Sequence, residues 1–176
     1  GGITNSVWFK FVAPASGRVL VSTDIPGGTL VDSEIAIYEE PTDCTDASTM
    51  GAFVAFDQDS GVAVNFNSVI VTGGLVPGDT YYVQVDRWNS ASDGTFGIEI
   101  QEAIADVQVI HNSADPTAEF VDVYLDGVLT FDDFEFRNAT SFVSVPAGED
   151  VSIDVAPGTS TDVSESLYNL TTALDI

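Results

Sequence analysis

Pro77-Gly-Asp-Thr-Tyr-Tyr-Val-Gln-Val-Asp86 is a turn that delivers the chain into a strand. Pro77-Gly-Asp79 carries turn chemistry, and Thr80–Asp86 then alternates, so Tyr81 and Tyr82 point to opposite faces. Similar turn chemistry returns at Pro146-Ala-Gly148, ahead of Val151–Val155, where Asp150, Ser152 and Asp154 interleave with Val151, Ile153 and Val155. Such a stretch makes a sheet with one wet face.

Working outward, Val7–Val12, Arg18–Thr23, Glu34–Tyr38, Phe53–Phe56, Val62–Phe66, Val69–Thr72 and Thr95–Ile100 also read as strands. In the last, Phe96, Ile98 and Ile100 share one face. Val107–His111, Phe120–Leu125 and Ser141–Val145 continue the series, and Asp126-Gly127 is a two-residue hairpin signal, since both central residues of a type I′ turn need positive φ. No window repeats at 3.6 residues; a short helical turn is expected within Thr42–Thr49. The expected fold is all-β: two tandem antiparallel β-sandwich domains, jelly-roll or immunoglobulin-like, at residues 1–102 and 103–176, with the boundary near Gln101–Asp106.

The chain has 176 residues with 28 Asp and Glu against 4 Lys and Arg, a net charge of −24. Clustered cations are what phosphate attraction needs, so nucleic acid is excluded as a partner. At 44% hydrophobic and 18% charged residues, the composition is too apolar for an acidic disordered tail. No run approaches the roughly 18 apolar residues of a membrane span, so no membrane insertion is expected. Carboxylates in such excess must be relieved by screening salt or bound divalent cations. Salt adaptation, calcium cages and solubility outside the cell all fit that charge. Cys44 stands alone and cannot close an intramolecular disulfide.

The first unit resembles the bacterial pre-peptidase C-terminal domain and its CUB-like relatives over residues 5–101. The residues that carry this are Asn5-Ser-Val-Trp-Phe-Lys-Phe-Val-Ala-Pro14, Gly17-Arg-Val-Leu-Val-Ser-Thr23 and Asp32-Ser-Glu-Ile-Ala-Ile-Tyr38. Phe56-Asp-Gln-Asp59, Leu75–Asp86 and Gly94-Thr-Phe-Gly-Ile-Glu-Ile100 follow in order. The resemblance implies a secreted, non-catalytic β-sandwich appended to peptidases, adhesins or other surface proteins. The second unit is similar to domain-of-unknown-function family 4397 over residues 105–170. Val107-Gln-Val-Ile-His-Asn-Ser-Ala-Asp-Pro116, Val121-Asp-Val-Tyr-Leu-Asp-Gly127 and Phe142-Val-Ser-Val-Pro-Ala-Gly148 carry it. It implies another extracellular β-sandwich and supplies no ligand. Relatives of the first unit carry a further strand before the Trp-Phe segment, and the second unit stops short of its expected final strands. The sequence thus reads as a fragment, or as a chain whose open edges accept strands from neighbours. Relatives often carry a second cysteine near positions 55–56, held here by Ala55 and Phe56; the resemblance makes Cys44 an orphan of a disulfide pattern.

Asp57-Gln-Asp-Ser-Gly61 is the most suggestive acidic loop, because two carboxylates in a tight turn can offer hard oxygens to calcium. It is no EF-hand, as Ser68 stands where the bidentate Glu would be needed. Asp32 and Glu34 open a strand that the family pattern places nearby, so the resemblance implies a calcium site at Asp32, Glu34, Asp57 and Asp59; solvated turn acids are the plainer alternative. Asp122, Asp126, Asp132 and Asp133 form a second acidic set whose spacing fits turns and strand faces. His111, with Ser113 and Asp115, lacks any nucleophile-elbow pattern and reads as a hydrogen-bonded corner. Acidic neighbours keep Cys44 from being a reactive thiolate. Among Trp8, Tyr81, Tyr82 and Trp88, the loop-tip Trp88 is the candidate ligand contact, a glycan being one partner it would suit. Asn138-Ala-Thr140 and Asn169-Leu-Thr171 match glycan acceptor sequons, short enough to occur by chance. No catalytic set can be assembled. The expected function is a calcium-stabilised structural or adhesive module pair of a secreted or cell-surface bacterial protein. The alternatives are a subunit of an extracellular filament built by strand exchange, with other copies as partners, and an accessory domain of a secreted hydrolase or peptidase.

Overall fold

The computed structural model describes residues 6–43, 45–64, 66–88 and 93–174. It divides into two compact units, Gly1–Ala103 and Ile104–Ile176. Both are β-structure with antiparallel pairing, and among the described residues the helical pieces are single 3₁₀ turns at Ala47–Thr49, Pro116–Ala118 and Val163–Glu165. Among them, too, no helix is long and apolar enough to cross a membrane.

The strands of the first unit are Val7–Val12 (β1), Val19–Ser22 (β2), Ser33–Glu39 (β3), Phe53–Asp57 (β4), Val69–Thr72 (β5), Thr80–Arg87 (β6) and Glu99–Glu102 (β7). They form a four-stranded sheet ordered β1-β6-β3-β4 and a three-stranded sheet ordered β5-β2-β7. Alternation decides what is buried: Ile35, Ile37, Tyr81, Val83 and Val85 from the first sheet meet Val19, Val21 and Ile70 from the second. Phe9 and Phe96 close this core edge to face, with centroids 6.2 Å apart.

The second unit has Ile104–Val107 (β8), Phe120–Leu125 (β9), Val128–Glu135 (β10), Val143–Pro146 (β11), Asp150–Pro157 (β12) and Tyr168–Ala173 (β13). Its sheets run β10-β9-β12-β13 and β11-β8, around a smaller core of Leu125, Val145 and Val151. At the β9–β10 turn Asp126 has φ 49° and Gly127 φ 77°, the two positive values a type I′ turn demands.

Three sequence expectations need correction. Of the strand expected at Val62–Phe66, the described residues form none: the backbone N–H groups of Val62, Ala63 and Val64 all donate to the Asp24 carboxylate, and Phe66 takes φ 66°, while Asn65 lies outside the described residues. Those donors are therefore lost to any ladder. Thr95–Ile100 becomes strand only at Glu99, because the Thr95 carbonyl accepts from both Thr29 and Leu30. The strand expected at Val107–His111 lies at Ile104–Val107 instead. Beyond it the Thr140 hydroxyl takes the Val109 N–H that a strand partner would have held. The sequence reading also passed over β10 and β13.

Candidate functional site

The solvent side of the sheet β1-β6-β3-β4 is built in rows by its register. Trp8 pairs with Gln84, Gln84 with Ala36, and Ala36 with Phe56. The next row is Lys10, Tyr82, Tyr38 and Phe53. These positions alternate with the core residues, so their side chains lie on the outer face.

Trp8 is 38% exposed, Phe56 51% and Phe53 62%. The Trp8 and Tyr38 rings approach to 5.9 Å between centroids at a 45° tilt, and Tyr38 meets Phe53 at 6.0 Å and 72°. Gln84 and Ala36, although on the wet side, are each only 8% exposed beneath this ring layer. Tyr81 turns the other way into the core, where its hydroxyl accepts the Val76 N–H at 3.0 Å.

An acidic end adjoins the rings. Glu34 pairs with Asp86 on the same side of the sheet, and the Trp88 N–H donates to the Asp32 carbonyl just beyond them. Gln84 donates to the Ser6 hydroxyl at 2.8 Å, and Ser6 donates to Asp86 at 3.0 Å. Desolvation and the charge of Asp59 push Asp32 above the ordinary carboxylate range. Desolvation, then Asp86, Asp32 and Asp59, push Glu34 the same way. Trp88 stands 55% exposed at the end of β6.

The proposed metal ligands thus divide. Asp32 and Glu34 both feel the charge of Asp59, whereas Asp57 pairs with core-facing Ile35. Its carboxylate accepts from the Ser60 hydroxyl and N–H and from Val69 N–H, which ties β4 to β5. Asp57 holds its own loop and the next strand.

Among the described residues the set of three acids whose oxygens all lie within 4.8 Å of one another is Asp122, Asp132 and Asp133, in the second unit. The ladder between β9 and β10 slips between Phe131 and Phe134, and Asp133 takes φ 50°. That bulge swings two acids toward β9. Asp122 is 1% exposed and fully engaged, accepting the Asp133 N–H at 2.9 Å and the Ser160 hydroxyl at 2.5 Å. Desolvation and repulsion from Asp122 and Asp133 raise Asp132. Asp126 sits apart, its carboxylate accepting the Ser152 N–H.

His111 is a corner residue. Its Nε2 lies 2.8 Å from the Ala118 carbonyl, Ser113 N–H points at Nδ1 from 3.4 Å, and Phe134 and Phe136 flank the ring. Asp115 caps the 3₁₀ turn through Thr117 and does not reach the imidazole as a triad acid would. Of the sequon asparagines, Asn138 donates to Glu135 and Asn169 to Ser152 and Asp154. Cys44 lies outside the described residues.

Sequence reasoning singled out Trp8 and Tyr82 but passed over Tyr38, Phe53, Phe56 and Lys10 as members of one surface. The available signal was parity within each strand; the strand order that assembles it is not local. No curated protein and no solved structure gives a significant match to this chain. Residues 105–174, nearly the whole second unit, match the family described as Domain of unknown function (DUF4397), so the second unit is similar to that family in sequence as well as being a β-sandwich.

Proposed function

We propose that this chain is a non-catalytic, extracellular module pair with adhesive and structural duty in a secreted or cell-surface bacterial protein. The observation that carries this reading is the ring layer of Trp8, Tyr38, Phe53 and Phe56, held on a rigid sheet face and left open to solvent. Large apolar side chains gathered on a surface mark contact sites. The chemistry-bearing side chains elsewhere support it: Asp24, Asp57 and Asp115 are engaged with backbone N–H groups, and both His111 nitrogens face backbone groups. The first unit's resemblance to pre-peptidase C-terminal modules points the same way, its motifs falling in order on β1, β2 and β3, at the end of β4, on β6 and into the start of β7.

Calcium belongs to this reading as a stabiliser, relieving Asp32, Glu34 and Asp59 or the Asp122, Asp132 and Asp133 cluster. A melt with calcium and with chelator tests it, and equal midpoints would remove calcium from the proposal. The adhesive role is tested by retention of the purified chain on particulate cell walls and envelopes. Binding lost in a Trp8→Ala, Tyr38→Ala variant supports it; equal retention of both proteins sinks it.

A second reading, a filament subunit, is favoured by β13. It is an edge strand whose residues are nearly all exposed, beside Leu167 at 74% and with Tyr168 at 60%. An unpaired edge of this kind accepts strands from other copies. Concentration-dependent polymers in electron micrographs would favour it, and a monomer at high concentration would count against it.

A further inference from the structure

Resting on the adhesive reading above, we infer that the outer face of β1-β6-β3-β4 is a binding platform for single chains of uncharged polysaccharide, with Trp8, Tyr38 and Phe53 as stacking surfaces and Lys10, Tyr82 and Asp86 as hydrogen-bonding groups.

The rings supply the first argument. A sugar ring presents polarised C–H bonds on its faces and hydroxyls around its rim. Aromatic faces are electron-rich and attract such C–H groups, while the rim needs polar partners. Trp8, Tyr38 and Phe53 form a continuous row, with centroid steps of 5.9 and 6.0 Å. Four strands at their usual spacing span about 14 Å, enough for several sugar units. The successive tilts of 45° and 72° rule out one plane. A flat crystalline polymer surface would touch only one ring at a time, whereas a single twisted chain can follow all three.

Polar groups supply the second. Lys10, the chain's lone lysine, is exposed in the row of Tyr82, Tyr38 and Phe53, so a donor stands beside the rings. On the other side of Trp8 lie the carboxylates of Asp86, which already accepts from Ser6, and Glu34, and both are acceptors. An apolar protein partner would bury the Lys10 ammonium and these carboxylates without compensation, at a cost of several kcal/mol. A polyol satisfies both ends.

Charge chooses among the remaining occupants. A net charge of −24 repels polyanions, and a second copy docked on this face would bring too few cations to meet Glu34 and Asp86. A polycation would gather at the acidic end of the face, by Glu34 and Asp86, and be repelled by Lys10 at the other end. The occupant that uses the whole face carries no net charge. The rings also come pre-ordered, since Trp8 and Tyr38 already hold each other over Gln84, so little side-chain entropy remains to be lost on binding.

The test is affinity electrophoresis of the whole chain through gels containing soluble neutral glucan, mannan, xylan or galactan, with alginate and polylysine as charged probes. Retardation by at least one neutral polymer is expected, weakened about tenfold or more by Trp8→Ala and by Tyr38→Ala, and unchanged by Phe142→Ala, which removes an exposed ring in the other unit. Trp8→Phe should restore most of the binding. Should an alanine variant fail to fold, Trp88→Phe leaves Trp8 as the lone indole, and its emission must then shift on adding the retarding polymer. No retardation by any neutral polymer, retardation indifferent to Trp8 and Tyr38, or binding of polylysine or alginate alone would each overturn the inference. If particles still bind through Trp8 while every neutral polymer fails, the occupant is wrong and the adhesive reading stands. Particle binding that ignores Trp8 and Tyr38 removes the adhesive reading itself.

Discussion

Trp8 and Tyr38 lie on strands that do not pair with each other, yet their ring centroids stand 5.9 Å apart across the intervening strand β6. The contact covers Gln84, whose amide is already committed to Ser6. A tilted aromatic pair of this kind is worth about 0.5–1.5 kcal/mol beyond its area. A double-mutant cycle of Trp8→Ala and Tyr38→Ala, followed by urea unfolding, should return a coupling of that size. Strict additivity would mean that the rings do not touch in solution.

Asp24 organises the segment that the alternation pattern misread. Burial raises its carboxyl, but N–H bonds from Ala63, Val64 and Val62 outweigh that and hold it below the ordinary value of 3.8. A depressed folded value makes a contribution that is full above the unfolded value and fades as pH falls through the folded one. Asp24→Ala should therefore cost about 2 kcal/mol near neutral pH, the scale of one or two charge-assisted hydrogen bonds. The gap between wild type and Asp24→Ala should shrink in thermal melts as pH falls from the ordinary carboxylate value through the lower folded one. A pH-independent gap would show that the carboxylate charge is not what holds the loop.

The strands legible in the sequence were those where alternation and turn chemistry agree. Val7–Val12 and Phe120–Leu125 have the expected bounds, and Asp126-Gly127 turns as its residues require. Val62–Val64 misled because its alternation is real, while its donors belong to an acid about forty positions earlier in the chain. β10 hid behind its bulge, which breaks the period-two pattern at Asp132 and Asp133. The candidate site was half legible for a related reason. Glu34 and Trp8 are conspicuous within their own strands, but β1 lies two places from β3 only because β6 enters between them.

Glu34 should behave opposite to Asp24. Desolvation and then Asp86, Asp32 and Asp59 raise its folded value, so the folded state is favoured when Glu34 is protonated and loses stability as pH rises through that value. Glu34→Gln should raise the melting midpoint at neutral pH by a degree or two, on the order of a few tenths of a kcal/mol for so open a site. It should also reduce the gain in midpoint that wild type shows on adding salt, because part of the repulsion that salt screens has gone. An unchanged salt response would place the dominant repulsion elsewhere in the chain.

In the second unit Asp122 and Asp132 should separate structure from cation. Asp122 bridges the Asp133 N–H and the Ser160 hydroxyl from a buried position, so Asp122→Ala leaves both donors without their acceptor and should cost about 2–4 kcal/mol. Asp132 is exposed, and desolvation with the charges of Asp122 and Asp133 raises its folded value, so its ionised form weighs against folding above that value. Asp132→Asn should therefore raise the midpoint at neutral pH, where Asp122→Ala lowers it. If calcium relieves the same repulsion, wild type gains stability with added calcium and Asp132→Asn gains much less, as read by parallel melts at constant ionic strength. A calcium gain of equal size in both proteins would move the cation away from this bulge, and the first unit's Asp32, Glu34 and Asp59 would become the place to substitute next.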